Sequence, residues 1–214
     1  KFKPDIIICY DNISIFHSLF AKLFLRIKTI ISFHSSTEVE LLKKLYLFRF
    51  IVSFADSIYC VSNSMKKDVE QIFPKKRVDF FPTGVDKNIF YNMYKKRKNQ
   101  LIFVGPLNWK KGLNNLIECL RILIDEKYDI KLLIIGDGPI REELNILIDD
   151  LGISDNIIFL GMIPQTEIVE HLNSSKLFIL PSIKEGMPKA INESLSCGTP
   201  AVITDACKEI FYFE

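Results

Sequence analysis

"LIFVGPLNWKKGLNNLIECL", residues 101–120, decides how this chain folds. It opens on four apolar residues and a glycine and passes through a short polar turn. It closes on a run in which Leu113, Leu116, Ile117 and Leu120 recur at helical spacing, a stripe that Leu123 and Ile124 extend. A short continuous apolar run reads as a strand buried on both faces, and the stripe as a helix laid against it. The unit then repeats. "KLLIIG" (131–136), "NIIFLG" (156–161), "KLFILP" (176–181) and "PAVITD" (200–205) are further apolar runs of strand length. A second stripe, Ile140, Leu144, Leu147, Ile148 and Leu151, is entered through Pro139, which suits a first helical position. Strands alternating with helices imply right-handed crossovers and a parallel sheet with helices on both faces, an α/β fold.

The first half follows the same alternation less completely. "DIIIC" (5–9), "TIISF" (29–33), "SIYCV" (57–61) and "VDFF" (78–81) read as strands. Thr37 with Glu40 fits a capping box for a helix over about 38–53, and Ser62 or Asn63 caps another over about 64–73. The charge run "YKKRKN" (94–99) separates the halves as a linker or part of a hinge. The expected division is a first domain over 1–86, a linker over 87–98 and a second domain over 99–214. Each half reads as a doubly wound domain lacking a piece, the first its start and the second its end.

The chain has 214 residues, 48% of them hydrophobic and 25% charged, which suits a globular protein with a sizeable core. Five cysteines lie far apart with no C-x-x-C pair, so buried free thiols in a reducing cytoplasm are expected. The greasiest window, residues 13–33, is interrupted by His17, Lys22, Arg26 and Lys28, which argues against a transmembrane helix. The net charge of +2 hides an asymmetry: residues 1–98 hold 18 Lys/Arg against 9 Asp/Glu, and residues 99–214 hold 10 against 17. A basic half either faces anionic lipid or a phosphate-bearing acceptor, or is an ordinary solvated surface. The basic residues are dispersed and match no nucleic-acid-binding motif, so no nucleic-acid partner is expected.

In a doubly wound sheet, ligands bind where the strand order reverses, between strands 1 and 4. In the second half those strands are followed by the loops 106–112, with Lys110 and Lys111, and 182–188, with Glu185. A 3-2-1-4-5 order makes these loops neighbours, with a cation and a carboxylate flanking one crevice. Pro188 suits the start of the next helix, whose amino end favours a phosphate, and Gly186 admits close backbone approach. Ile191 and Leu195 read as the buried face of that helix, which turns Glu193 toward crevice or solvent. A carboxylate accepts two hydrogen bonds side by side, which matches a vicinal diol, and a lysine supplies a point charge for a diphosphate. Plainer roles exist for each residue. Glu193 pairs with Lys189 at i, i+4; Lys110 and Lys111 are solvated; Glu185 is an acid near a helix start.

"EGMPKAINESLSCGTPAVITD" closely resembles the signature of glycosyltransferase family 4, within the GT-B class: Glu, seven residues, Glu, then a helix ending in Cys-Gly-Thr-Pro. "LIFVGPLNWKKGLNNLIECL", "LLIIGDGPIREEL" and "NIIFLGMIP" resemble the strand ends of the same family's nucleotide-sugar domain. "IISFHSS", "VSNSMKKDV" and "FFPTGVDKNIF" match segments of its acceptor domain. The resemblance implies two Rossmann-like domains, each incomplete here, and a retaining transferase. It would move a hexose from a UDP- or GDP-sugar to a glycan or lipid-linked acceptor. It implies that Glu185 contacts the donor sugar's hydroxyls, Glu193 the ribose, and Lys111 the diphosphate. Gly186 and Met187 would line the sugar–phosphate pocket, Gly161, Met162 and Ile163 would meet the nucleobase, and His34 would sit near the transferred sugar. No protein nucleophile, cofactor or metal is implied, and the sequence has no Asp-x-Asp triplet or clustered His/Cys ligands. A cytoplasmic enzyme of polysaccharide biosynthesis is expected, at the inner face of the membrane if the basic half faces anionic lipid.

Two departures stand out. The family's arginine after the first strand's glycine is Pro106 here, where Lys110 is the candidate substitute. The glycine-rich first loop of the acceptor domain and the returning C-terminal helix are absent from the sequence. They motivate a second reading, a catalytically silent remnant that binds nucleotide or a protein. A dinucleotide oxidoreductase fits worse, because "GDGPIR" (136–141) lacks the third glycine of G-x-G-x-x-G.

Overall fold

The computed structural model describes residues 4–207. Two compact units meet between Thr83 and Gly84. The first holds a four-stranded parallel sheet, β1 (Ile6–Cys9), β2 (Lys28–Phe33), β3 (Ser57–Cys60) and β4 (Val78–Phe80), in the order β1-β2-β3-β4. The order runs without reversal, so these strands form one wing of a doubly wound sheet. Between them lie α1 (Asn12–Leu25), α2 (Ser36–Lys44), α3 (Tyr46–Ser53) and α4 (Asn63–Ile72).

The greasy window 13–33 resolves into α1 and β2. Asp11 opens α1 with a capping box, accepting the Ser14 N–H at 2.9 Å, and Arg26 closes it in the left-handed region at φ 55°. Among the described residues, no helix is long and apolar enough to cross a membrane. The capping box expected at Thr37 and Glu40 lies two residues earlier, at Ser35 and Glu38. Glu38 is buried because its Oε2 accepts two backbone N–H groups, from His34 at 2.7 Å and Ser35 at 2.8 Å. The single helix expected there is two, broken at Leu45, whose backbone is extended. Ser62 caps α4 as expected.

The second unit holds β5 (Lys98–Val104), β6 (Lys131–Ile135), β7 (Ile157–Gly161), β8 (Ser175–Leu180) and β9 (Ala201–Ile203), all parallel, in the order β7-β6-β5-β8-β9. This is the 3-2-1-4-5 order, with its reversal between β5 and β8. The helices are α5 (Leu113–Asp125), α6 (Arg141–Leu151), α7 (Gln165–Ser174) and α8 (Lys189–Ser196). Crossovers β5→β6→β7 run one way along the sheet and β7→β8→β9 the other, so right-handed connections put α5 and α6 on one face and α7 and α8 on the opposite one. The core between them includes Ile102, Phe103, Ile117, Leu120, Ile134, Leu144 and Phe178, all fully buried. Pro139 and Pro188 precede their helices, by two residues and one, rather than opening them.

The segment 87–98, expected as a linker, is fastened to this second unit. Phe90 is buried, the Met93 N–H donates to Asn173 Oδ1 at 2.7 Å, and Lys95 pairs with Glu170. The Arg97 guanidinium donates to Ser175 O at 2.6 Å, Thr199 Oγ1 at 2.6 Å and Gly198 O at 2.8 Å. That fork ties the start of β5 to the turn that leaves α8. All five cysteines are free, and Cys119, contrary to the expectation of burial, is exposed.

Candidate functional site

The site starts from a glycine. After β5 the chain makes a 3₁₀ turn, Trp109–Lys111, in which Asn108 Oδ1 accepts the Lys110 N–H at 3.1 Å. The turn ends at Gly112, at φ +65°, where an added Cβ would stand 2.2 Å from the Pro181 carbonyl oxygen. Only glycine both adopts that angle and lets the backbones meet so closely. The approach presses the loop after β5 against the loop after β8. The Ile183 N–H then donates to Lys110 O at 2.8 Å, an intermolecular-style contact between distant loops of one chain.

That contact brings two of the expected residues together across 74 positions. Lys111 Nζ lies 2.5 Å from Glu185 Oε1, and the side chains are only 15% and 11% exposed. The Ser182 hydroxyl donates to the same oxygen at 2.5 Å. Ser182 is itself buried, and its carbonyl accepts the Thr204 hydroxyl beyond β9. Sequence reasoning did not single out Ser182 or Thr204. A pair this dry holds because each charge answers the other; removing one leaves the second uncompensated.

α8 begins at the same place, with Pro188 before it and no side chain capping its first turn. Met187 is buried just ahead of it. Glu193 does not sit where the helical spacing put it. Leu195, expected inside, is 48% exposed, while Glu193 is 7% exposed beside Ile191 and Ser194. The buried face is rotated because α8 packs against both β8 and β9 and against α7. Burial pushes the Glu193 carboxyl above its ordinary value, and Lys189, with Nζ at 3.7 Å, offsets part of that. A buried carboxylate with one half-exposed partner is costly to keep charged.

This shift has a signed consequence. The folded state holds the Glu193 proton to higher pH than the unfolded chain does, so stability is lost as pH rises through the carboxylate range. Glu193→Gln removes that loss. Its melting temperature relative to wild type is expected to be more favourable at neutral pH than at acid pH. Thermal melts across that range check this; a difference that stays flat or reverses contradicts it.

The rest of the sheet's carboxyl edge is built from backbone. Gly136, at φ +129°, leaves only 2.0 Å between a would-be Cβ and Gly105 O, and its N–H donates to Gly161 O at 2.8 Å. Gly138 is equally close to Leu107 O, at 2.2 Å. The ends of β5, β6 and β7 thus form a shelf without side chains. Gly161 ends it at φ +69° with nothing within 4 Å of a Cβ, and the next residue, Met162, is 84% exposed. Ile163 is partly exposed at the same rim. Gly136 and Gly138 were read in sequence only against a dinucleotide fingerprint; their paired position at a strand end was the signal for this close approach.

Lys110 is not a member of the Lys111–Glu185 pair, and His34 is in the other unit. Lys110 gives its carbonyl to Ile183, but its Nζ lies 5.6 Å from the centroid of the Trp109 ring. His34 belongs to the first unit, just past β2, with Nε2 2.9 Å from Ser32 Oγ and its ring 5.4 Å from that of Tyr10. Among the described residues, no three His, Cys, Asp or Glu side chains are grouped to hold a metal ion.

Comparison with known proteins bears on both units. A family model described as Glycosyl transferases group 1 matches residues 85–210, and one described as Glycosyltransferase Family 4 matches residues 1–88. An uncharacterized glycosyltransferase of Methanocaldococcus jannaschii is 26% identical over 227 residues, covering 94% of this chain and 58% of that protein. The alpha-monoglucosyldiacylglycerol synthase of Streptococcus pneumoniae is 24% identical over 172 residues, covering 73% of this chain and 39% of that protein. The chain thus spans 58% or less of the length of these relatives. Among solved structures, Anabaena HepE in complex with UDP and glucose superposes with a TM-score of 0.83 at 19% identity, covering 98% of this chain and 61% of that one. Sucrose-phosphate synthase from Thermosynechococcus elongatus gives 0.82 at 16% identity, covering 94% and 56%. At these identities the structures speak for the fold alone, a two-unit α/β arrangement of the GT-B kind.

Proposed function

The chain belongs to the Glycosyl transferases group 1 family, whose model covers more than half of it, and we propose that it serves a retaining transfer of a hexose from a nucleotide-diphosphate sugar to a saccharide or lipid-linked acceptor. The observation that supports this most is the Lys111–Glu185 pair at the sheet reversal, beside the uncapped start of α8.

In this reading the donor's diphosphate takes Lys111 from Glu185 and lies against the first N–H groups of α8, near Gly186 and Met187. Glu185, released, accepts hydrogen bonds from the hexose hydroxyls while Ser182 holds it in place. Glu193 accepts the ribose diol. The nucleobase lies along Gly161, Met162 and Ile163, where the shelf is open. The bond from the sugar's anomeric carbon to the phosphate oxygen breaks, and one to the acceptor oxygen forms on the same face. The acceptor's proton passes to the departing diphosphate oxygen. Catalysis is then positioning and stabilisation of negative charge on the leaving group, which Lys111 and the helix terminus supply without a metal ion. The role of His34 beside the transferred sugar rests on the family resemblance.

HepE was solved with UDP and glucose, and UDP-glucose is therefore the first donor to try. Calorimetric titration of the chain with UDP- and GDP-hexoses is expected to show saturable binding of one series. Absence of binding by both series sinks the reading. Binding without turnover is what a non-catalytic remnant would give.

The acceptor side carries a surface of its own. On α1, Ile13, Phe16, Phe20 and Phe24 form an exposed apolar row at helical spacing, and Arg26 and Lys28 follow it. We assign this face to an anionic bilayer, on charge complementarity with that basic end. Flotation with anionic vesicles is expected to carry the chain, and F20S/F24S to abolish this; equal flotation of the double variant contradicts the assignment.

A further inference from the structure

A cavity of about 240 Å³ opens where the loops 106–112 and 182–188 meet the starts of α5 and α6, and neither Lys111 nor Glu185 lines it. Trp109, Ile140 and Ile183 give it apolar walls, and Asn114, Asn115 and Glu143 bring polar groups to it. Glu193 and the start of α8 stand on the opposite face of the sheet, so the donor residues do not line it.

We propose that this cavity is a second saccharide subsite, which holds one neutral hexose ring of a glycan by stacking on Trp109. Four observations carry the assignment. The volume lies just below the ~300–1,000 Å³ of drug-sized pockets, the scale of a single ring. The indole is 65% exposed, a large apolar surface left to water on the rim of a cavity. A pyranose offers one face of C–H groups, which packs flat on an aromatic ring by dispersion. The remaining wall then meets the ring's hydroxyls: two carboxamides, each both donor and acceptor, and one carboxylate that takes a vicinal pair. None of these three side chains is engaged in a hydrogen bond or ion pair among the described residues, and all three are exposed.

The same chemistry excludes other ligands. Glu142 and Glu143 both stand in the first turn of α6, which repels a phosphate or an acidic sugar. Three polar side chains in so small a space leave no continuous apolar wall for an acyl chain. Ile140 and Ile183 add apolar wall beside the indole.

This subsite stands on its own cavity and does not rest on the donor reading. Trp109 is the single tryptophan of the chain, so its fluorescence reports the cavity directly. The experiment titrates the whole chain with neutral gluco-, galacto- and manno-oligosaccharides, from mono- to tetrasaccharides. A saturable emission change is expected for at least one series, with the same affinity when a UDP- or GDP-hexose is present in excess. Asn115→Ala and Glu143→Gln, both at exposed positions that leave the core untouched, are each expected to weaken it about tenfold. Circular dichroism confirms that each variant is folded. No saturable change with any series overturns the proposal. So does a change that the nucleotide sugar abolishes, which would put the saccharide in the donor crevice, or one that both variants retain at wild-type affinity.

Discussion

Gly112→Ala is expected to destabilise the second unit by about 3 kcal/mol or more, read as a shift of the urea unfolding midpoint. Two effects add. The methyl group would stand 2.2 Å from the Pro181 carbonyl oxygen, and the backbone angle of +65° disfavours any side chain. The carbonyl is main chain, held by the end of β8, so it cannot swing aside as a flexible side chain would. Relief requires the loops 106–112 and 182–188 to part. The hydrogen bond from Ile183 to Lys110 and the ion pair from Lys111 to Glu185 would go with them. Gly152, also at positive φ but with nothing within 4 Å of a Cβ, is the control: Gly152→Ala meets the conformational cost without the collision, about 1 kcal/mol. Equal midpoints for the two variants would mean that the loops are not pressed together.

Lys111→Ala is expected to lower affinity for the nucleotide-sugar donor by about 10- to 100-fold, the effect of losing a charge-assisted contact to a phosphate. It also leaves Glu185, 11% exposed, without its cation, so the variant's ligand-free form is destabilised as well. Lys110→Ala separates the two lysines of this loop. The Lys110 ammonium sits over an indole rather than on the carboxylate, so its loss is expected to change donor affinity much less. Comparable losses in both variants would show that Lys110 reaches the diphosphate and takes the place of the guanidinium that Pro106 displaces.

The second unit was the more legible in sequence because its signals were redundant. Each strand was a short apolar run, each helix showed its stripe, and the 3-2-1-4-5 order taken as a condition from the doubly wound pattern is the one observed. The meeting of Lys111 with Glu185 was therefore readable as topology. What stayed hidden was set by packing at the level of single residues. Glu193 is inside and Leu195 outside because α8 is wedged between β8, β9 and α7, where helical periodicity around one core no longer applies. The capping box slipped because "SSTEVE" contains two overlapping Ser/Thr-x-x-Glu patterns, and only the burial of Glu38 against two N–H groups chooses between them. Arg97, in a run that read as a linker or part of a hinge, reaches acceptors 78 to 102 positions further along the chain, which no local pattern announces. The backbone shelf at Gly105, Gly136 and Gly161 was written in sequence as glycines at strand ends, but the close approach of Gly136 to Gly105 became visible only with the strands side by side.

The proposed function divides the labour, with Lys111 for the diphosphate and Glu185 for the hexose. Affinities for a nucleoside diphosphate and for its hexose conjugate, measured on wild type and on Glu185→Gln, test this most directly. Glu185→Gln is expected to weaken the hexose conjugate alone, and to leave the free diphosphate bound as well or better, since Lys111 no longer has to leave a carboxylate. A variant that loses both ligands equally, or neither, would contradict it.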